Sequence, residues 1–436
     1  MIPKIIKINP GFLTLCIFFL MVTGLSETMK ASSLFQEQND QEQSSFSQYK
    51  GEVRDSGTKK PLIFATLTVE GTNISTVTNT EGSFLLKIPQ GIPHKNILVS
   101  FLGYKSKMVS LATLKENNNV IQLDVSVTEL PEVNISVPKD ARTLVKETMR
   151  KKGENYFTDP TVMTAFYRET IKKRRKNVSL SEAVVTIFKT PYTSTRRDAV
   201  QLYKARKSTD YDKLDTLVLK LQGGPFNALY VDVMKYPEYI FTEDAMSDYN
   251  FSIDRSTRIN DRLIYVINFR QRDDIRVPLY QGKLFIDVEN KVLTSAIYSL
   301  NITDRAMASR LFVRKKPRNA DVYPTQVAYR VNYREKNGKW YYGYSNALLE
   351  FKINWDKKLF NSVYSMTCEM AVTDWEKNMD TKEPKFRDRL RSTVILVDEA
   401  IGFSDPDFWG QYNIIEPEKS IESAIKKIQR QLKKAQ

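Results

Sequence analysis

The chain begins with one apolar block and then breaks into short alternating runs. Gly11 to Leu25 is almost uninterrupted in its apolarity and follows Lys4 and Lys7. It is shorter than the roughly 20 residues a helix needs to cross a bilayer. With the small residues Gly24 and Ser26 behind it, the block predicts an export signal over 1–26, either cleaved after Ser26 or retained as an anchor. Residues 27–47 are polar, Gln/Ser-rich and aperiodic, and read as a flexible tether. Nothing later is long and apolar enough to span a membrane, so no transmembrane helix is expected in the mature chain.

From residue 48 the pattern is that of strands. Tyr49–Arg54, Ile63–Val69, Thr76–Thr78, Ser83–Ile88, Asn96–Phe101 and Val120–Leu123 are short alternating or apolar runs. Asp55-Ser56-Gly57, Gly71-Thr72-Asn73 and Asn79-Thr80-Glu81-Gly82 punctuate them, which predicts an antiparallel β-sandwich over 48–127. Gly82 is expected at positive φ in a hairpin bulge, with Phe84 pointing inward. A linker over 128–154 holds an extended exit strand, Val127–Val137, and an amphipathic helix, Ala141–Lys152, with Leu144, Val145, Thr148 and Met149 at helical spacing. Residues 155–410 read as a large β-rich domain. Its strands include Phe166–Thr170, Leu180–Phe188, Leu263–Arg270, Lys283–Asp287, Val292–Leu300, Gln326–Arg334, Lys339–Tyr344 and Ala347–Ile353, with hairpin turns at Val288–Lys291 and Asn337-Gly338. The fold class is mainly β: a sandwich, then a large curved antiparallel sheet or incomplete barrel with a few helices. Residues 411–436 predict a C-terminal helix with Glu416, Glu418 and Glu422 at its start and Lys433 and Lys434 at its end. Its stripe of Ile421, Ile425, Ile428 and Leu432 suits docking on the chain's own sheet or a membrane interface.

The strings GEVRD, PLIFATLTVEGT, TVTNTEGSFLLKIP and ILVSFLGYKSKMV together resemble the carboxypeptidase-regulatory-like, transthyretin-like domain across 48–127. That resemblance implies a folding and docking module without catalysis, used in front of envelope proteins of Bacteroidetes. GKLFIDVENKVLTSAIYS resembles the hairpin of periplasmic lipoprotein-carrier half-barrels. NYFTDPTVMTAFYRE, LQGGPFNALYVDVMKYP and DFWGQYNIIEPEKSIESAIKKI are similar to Bacteroidetes envelope proteins in which the same sandwich precedes this region. This implies architecture and compartment, and no activity: an exported chain in the periplasm or at the periplasmic face of the outer membrane.

Composition narrows the chemistry. The chain holds one histidine, His94, in a turn-like stretch. Zinc-carboxypeptidase chemistry needs two histidines and a glutamate, so that site cannot be built despite the sandwich's family name. With Cys16 in the signal, Cys368 alone remains and reads as a buried thiol, so no intramolecular disulfide is expected. A net charge of +15 favours anionic surfaces, and export argues against nucleic acid. No cofactor or metal is expected.

Two basic stretches are candidate contacts for an anionic ligand: Lys172, Lys173, Arg174 and Arg175 in one, Arg314, Lys315 and Lys316 in the other. Trp340, Tyr342 and Tyr344 are a candidate aromatic surface for a ligand, or ordinary core. The reading is a non-enzymatic binding or scaffold protein that docks an envelope partner through its sandwich and holds a lipid or glycan on its curved sheet. The alternative is a hydrolase of envelope glycans or peptides using carboxylates, of which Asp273/Asp274 and Asp405/Asp407 are adjacent examples.

Overall fold

The computed structural model describes residues 46–419, except 127, 130–139, 175, 210–220, 243, 260–261, 314–315, 317, 357–360, 382 and 403–407. The expected export signal, the tether and most of the exit strand and C-terminal helix lie outside the described residues. So do Arg175, Arg314, Lys315, Asp405 and Asp407.

The sandwich is built from β1 (Phe46–Asp55), β2 (Thr66–Val69), β3 (Ser75–Val77), β4 (Ser83–Pro89), β5 (Asn96–Ser100), β6 (Lys107–Ser110) and β7 (Asn119–Leu123). One sheet has the order β4-β1-β7 and the other β3-β2-β5-β6. Val53, Leu67, Val69, Phe84, Leu86, Ile97 and Val99 are fully buried between them. Gly82 sits at φ +76°, and a side chain there would meet Pro61 at 2.7 Å, so the turn requires glycine while Phe84 points inward as expected. One pairing departs from the antiparallel expectation: β1 and β7 run parallel, Gly51 opposite Asn119. First and last strands of a sandwich can pair this way because the whole intervening chain serves as the crossover. β6 has no sequence signal of its own, since Lys107 and Met108 are exposed and its alternation is short.

The Phe-Leu-Gly-Tyr element has a physical role. Tyr104 Oη donates to Asp55 Oδ2 at 2.7 Å, and the Thr58 amide also donates to Asp55. The Thr58 amide, the Tyr104 hydroxyl and the Thr58 hydroxyl hold the Asp55 carboxyl down at about 2 against its ordinary 3.8. A depressed carboxylate contributes stability above its unfolded value and loses it as pH falls through the folded one. Tyr104→Phe is therefore expected to lower the unfolding temperature at neutral pH, with the gap to wild type closing between pH 3.8 and about 2 in thermal melts.

Ten long strands make the second sheet. In chain order, after the two-residue β8 (Thr128–Glu129), they are β9 (Thr161–Lys173), β10 (Lys176–Lys189), β11 (Ala199–Thr209), β12 (Tyr249–Ile259), β13 (Arg262–Gln271), β14 (Tyr280–Asp287), β15 (Val292–Leu300), β16 (Ala320–Lys336), β17 (Lys339–Trp355) and β18 (Ser362–Lys377), followed by the two-residue β19 (Ile401–Gly402). The spatial order is β19-β11-β10-β9-β18-β17-β16-β15-β14-β13-β12-β8, so the curved sheet stays open and does not close into a barrel. The Val288–Lys291 turn joins β14 to β15, and Asn337 and Gly338, both at positive φ, join β16 to β17 as read. Lys339–Tyr344 and Ala347–Ile353, expected as two strands, are one strand of 17 residues. Gly343 is a bulge inside it, because Tyr342 pairs Tyr333 and Tyr344 pairs Asn332.

The two faces of this sheet carry different partners. On one, Val77 and Leu85 of the sandwich pack with Phe166, Val184, Tyr344, Trp409, Ile414 and Ile415. On the other, Tyr156, Phe226, Leu229, Met234, Tyr236 and Phe241 pack over Tyr167, Val185, Ile267, Tyr342 and Cys368. The helix Ala141–Arg150, capped by Asp140, adds Leu144 and Val145 to this far face. Among the described residues no helix is long and apolar enough to cross a membrane.

Candidate functional site

Strand register decides where the chain's ionisable groups end up. On the sandwich face, Arg168 of β9, Glu182 of β10 and Arg206 of β11 stand side by side. Glu182 accepts from Arg168 Nε at 2.8 Å and from Arg206 Nε at 2.9 Å, while Arg168 also reaches Glu369 at 3.3 Å and the Ile415 carbonyl at 2.6 Å. Burial alone would raise the Glu182 carboxyl, but the two guanidinium groups outweigh it and hold it below its ordinary value. On the far face, Lys189 lies 2.9 Å from both Asp198 and Asp232. Tyr236 donates to Asp198, and Tyr192 and Tyr333 donate to Asp232. Burial would lower the Lys189 ammonium; the two aspartates reverse this and raise it. Both clusters fasten one layer to another: the first holds the 408–418 segment, the second holds Asp232 and its neighbours against β10 and β16.

One buried carboxyl lacks such a cation. Glu169 receives the Tyr167 hydroxyl at 3.0 Å, and burial pushes it up to about 8. Beside it on β18, the Cys368 thiol is buried as expected and pushed by that burial up to about 12. Among the described residues no group of three or more His, Cys, Asp or Glu is placed to hold a metal ion. Asp273 and Asp274 are exposed and paired with Arg270 and Arg272.

The residues singled out in the sequence fall in several places. The two basic stretches turn at the same end of the sheet. Lys173 lies over the Tyr364 ring, and Tyr364 shares an apolar cluster with Ala320 and Phe312, which flank the second stretch. Lys172 is engaged by Glu418 at 3.4 Å, and Lys316 by the Ala320 carbonyl at 2.8 Å and Asp321 at 3.6 Å. Arg174 is exposed, held at φ +55° in its turn. Tyr342 and Tyr344 do not form one surface. The bulge at Gly343 sends Tyr342 into the far core, where its hydroxyl meets Ser345, and Tyr344 into the sandwich-face core, where it stacks on Phe64 at 4.7 Å. Trp340 is half-buried beneath Arg262. His94 is half-buried ahead of β5.

A feature that sequence reading missed lies on the sandwich. Each of its sheets has two edge strands, and two of the four edges are capped. Asn413 works on β4 as a strand would: its Oδ1 accepts from the Lys87 amide at 2.7 Å and its Nδ2 donates to the Lys87 carbonyl at 2.9 Å. β3 is covered by β18 and its neighbours through Ser75 to Val372, Asn73 to Trp375 and Arg334 to Ser75. Among the described residues no strand lies beyond the other two edges, β6 and β7, which are joined at one end by the bridge between Tyr104 and Val125. Between them runs a groove of about 440 Å³ lined by Lys107, Met108, Lys115, Asn118 and Val120 among others. Met108 is 48% and Val120 57% exposed, the most exposed apolar side chains of the two strands. Asn119 bonds the Lys50 and Lys115 carbonyls and thereby fixes the turn at the groove's end.

Residues 49–135 match the sequence profile of the CarboxypepD_reg-like domain. The CarboxypepD_reg-like sandwich thus accounts for the groove-bearing part of the chain, and of the large sheet the match includes only the two-residue β8. None of the curated proteins compared with the chain matches it. Three solved structures are similar to more than half of it. A putative outer membrane lipoprotein-sorting protein domain from Vibrio parahaemolyticus is 11% identical over 56% of this chain and 94% of its own, with a TM-score of 0.24. A DUF1329 family protein from Desulfovibrio piger is 8% identical over 55% and 95%, with a TM-score of 0.24. Lipovitellin is 7% identical over 54% of this chain and 27% of its own, with a TM-score of 0.25. Similarity at that level says nothing about ligand or activity here.

Proposed function

We propose that this chain is a non-enzymatic docking protein of the cell envelope whose sandwich takes an extended segment of a partner protein onto its open side. The observation that carries this reading is the asymmetry of the edges. The chain caps β3 and β4 with its own residues, and among the described residues no strand covers β6 and β7 around a groove with exposed Met108 and Val120. An unpaired edge presents a row of backbone donors and acceptors, which an extended main chain satisfies and a compact surface does not. The signal-like first 26 residues support the envelope as the compartment. The large sheet, pinned by two buried charge clusters, acts as the rigid body that carries the sandwich. Tyr342 is covered by the chain itself, which moves the proposed binding from the sheet to the sandwich. The carboxylates Glu182, Asp198 and Asp232 face buried cations, an arrangement that suits structure better than hydrolysis.

The test separates main chain from side chain. In the β5–β6 ladder, Ile97 faces Val109 and the Leu111 amide donates to the Lys95 carbonyl, so alternation turns the Met108 amide outward. Met108→Pro removes that outward donor at a position where an edge strand tolerates proline. Met108→Ala removes only the side chain. Partner retention on the tagged full chain in native envelope extracts is expected to fall about tenfold or more for M108P and less for M108A. Full retention by M108P with an unchanged unfolding temperature would rule out strand addition.

A further inference from the structure

A second surface stands apart from the sandwich, on the rim of the large sheet where the β9–β10, β13–β14 and β15–β16 connections turn. Three exposed apolar side chains are on it: Val277 at 54%, Met307 at 36% and Leu311 at 59%. Met307 and Leu311 are four residues apart on the helix Arg305–Phe312, whose Ala308 faces the sheet, so both point outward from one helical face. Exposed arginines stand along the same rim, Arg276 beside Val277, Arg310 beside Leu311, and Arg174 in the first connection, beyond the β17–β18 connection.

Within the β13–β14 and β15–β16 connections the cations are left over, while Asp356, directly after β17 on the same rim, is an exposed carboxylate. The carboxylates of the β13–β14 and β15–β16 connections are consumed locally: Asp273 by Arg270, Asp274 by Arg272, and Asp304 by capping the Met307 amide. At the start of β16, Asp321 pairs with Lys316. Arg174, Arg276 and Arg310 have no carboxylate within ion-pair distance among the described residues. Apolar side chains that stay in water, on a rim that also carries unpaired arginines, fit a surface that is anionic outside and apolar just beneath. We propose that this rim rests on an anionic phospholipid bilayer, with Met307, Leu311 and Val277 entering the headgroup–acyl boundary and the three arginines meeting lipid phosphates. The contact is peripheral, and it is independent of what the sandwich docks. The opposite rim has exposed Met379 and Phe386, but there Glu383 pairs with both Arg196 and Arg389 and Lys377 pairs with Asp159.

The test reads individual positions, so membrane attachment elsewhere in the chain does not confuse it. In a full-length C16S background, where buried Cys368 escapes labelling, Leu311→Cys or Met379→Cys carries a polarity-sensitive fluorophore. Vesicles of phosphatidylcholine alone are compared with vesicles containing phosphatidylglycerol. The probe at 311 is expected to shift to the blue with the anionic vesicles only, and the probe at 379 with neither. Adding Arg276→Gln and Arg310→Gln should weaken the response about 25-fold, near fivefold for each cation removed. No shift at 311, equal shifts at 311 and 379, or indifference to the arginines would each overturn the proposal.

Discussion

Lys189→Met is expected to destabilise the protein by about 3–5 kcal/mol, because it leaves two buried carboxylates facing one another without their cation. Lys189 is 2% exposed in its side chain and lies 2.9 Å from Asp198 and Asp232, both fully buried. The tyrosine hydroxyls around the aspartates donate hydrogen bonds but carry no positive charge. Lys235 also acts on both aspartates, but its ammonium bonds the Pro191 and Ser194 carbonyls, so the cost is an incompletely compensated charge in a medium that solvates charge poorly. A further result follows. Adding Asp198→Asn and Asp232→Asn should recover much of the loss, because a neutral polar cluster needs no cation. Urea unfolding of the three proteins checks all of this, and a loss below about 1 kcal/mol for K189M would show that the cluster does not bear on stability.

Glu169→Gln is expected to act in the opposite direction. The Glu169 carboxyl is raised by burial from 4.5 to about 8, with the Tyr167 and Ser181 hydroxyls pulling weakly the other way. A folded-state value above the unfolded one means that the native state holds the proton more tightly. Stability is then present below pH 4.5 and drains away as pH rises towards 8. At about 1.4 kcal/mol per pH unit, the drain reaches about 3 kcal/mol by neutrality, taken as an upper bound. Glutamine keeps the neutral form's shape and removes the titration. E169Q should match wild type near pH 4 and exceed it at pH 8, as pH-resolved denaturation would show. A variant less stable than wild type at pH 8 would mean that Glu169 is ionised and satisfied in the folded state.

These groups mark where sequence reading ran out. The hairpins at Val288–Lys291 and Asn337-Gly338 were legible because each is a local signal of turn residues between alternating runs. The helix Ala141–Arg150 was legible by its spacing, and the sandwich by punctuation and resemblance. Arg168 and Glu182 were not legible from the hairpin alone: the turn sets Lys173 opposite Lys176, and only the register shift at Val178 brings Glu182, in place of Ser181, opposite Arg168. Lys189, Asp198 and Asp232 carried no local signal, since Asp232 arrives on an irregular segment whose path only packing determines. Tyr342 and Tyr344 misled for a specific reason. A period of two places them on one face, and the single extra residue at Gly343 undoes it. The capped and bare edges of the sandwich were invisible because Asn413 lies 326 residues from Lys87. Nothing in either string shows that a side-chain amide will stand in for a strand.

The most direct measurement for the docking account is site-specific photocrosslinking of the full chain in cells, with the reactive residue at Met108, at Val120 or at Met379. All three positions are exposed, so none should disturb the fold. The account predicts one and the same crosslinked protein from 108 and 120, no product from 379, and loss of the 120 product when Met108→Pro is added. Absence of product at 108 and 120, or an equal yield at 379, would contradict it.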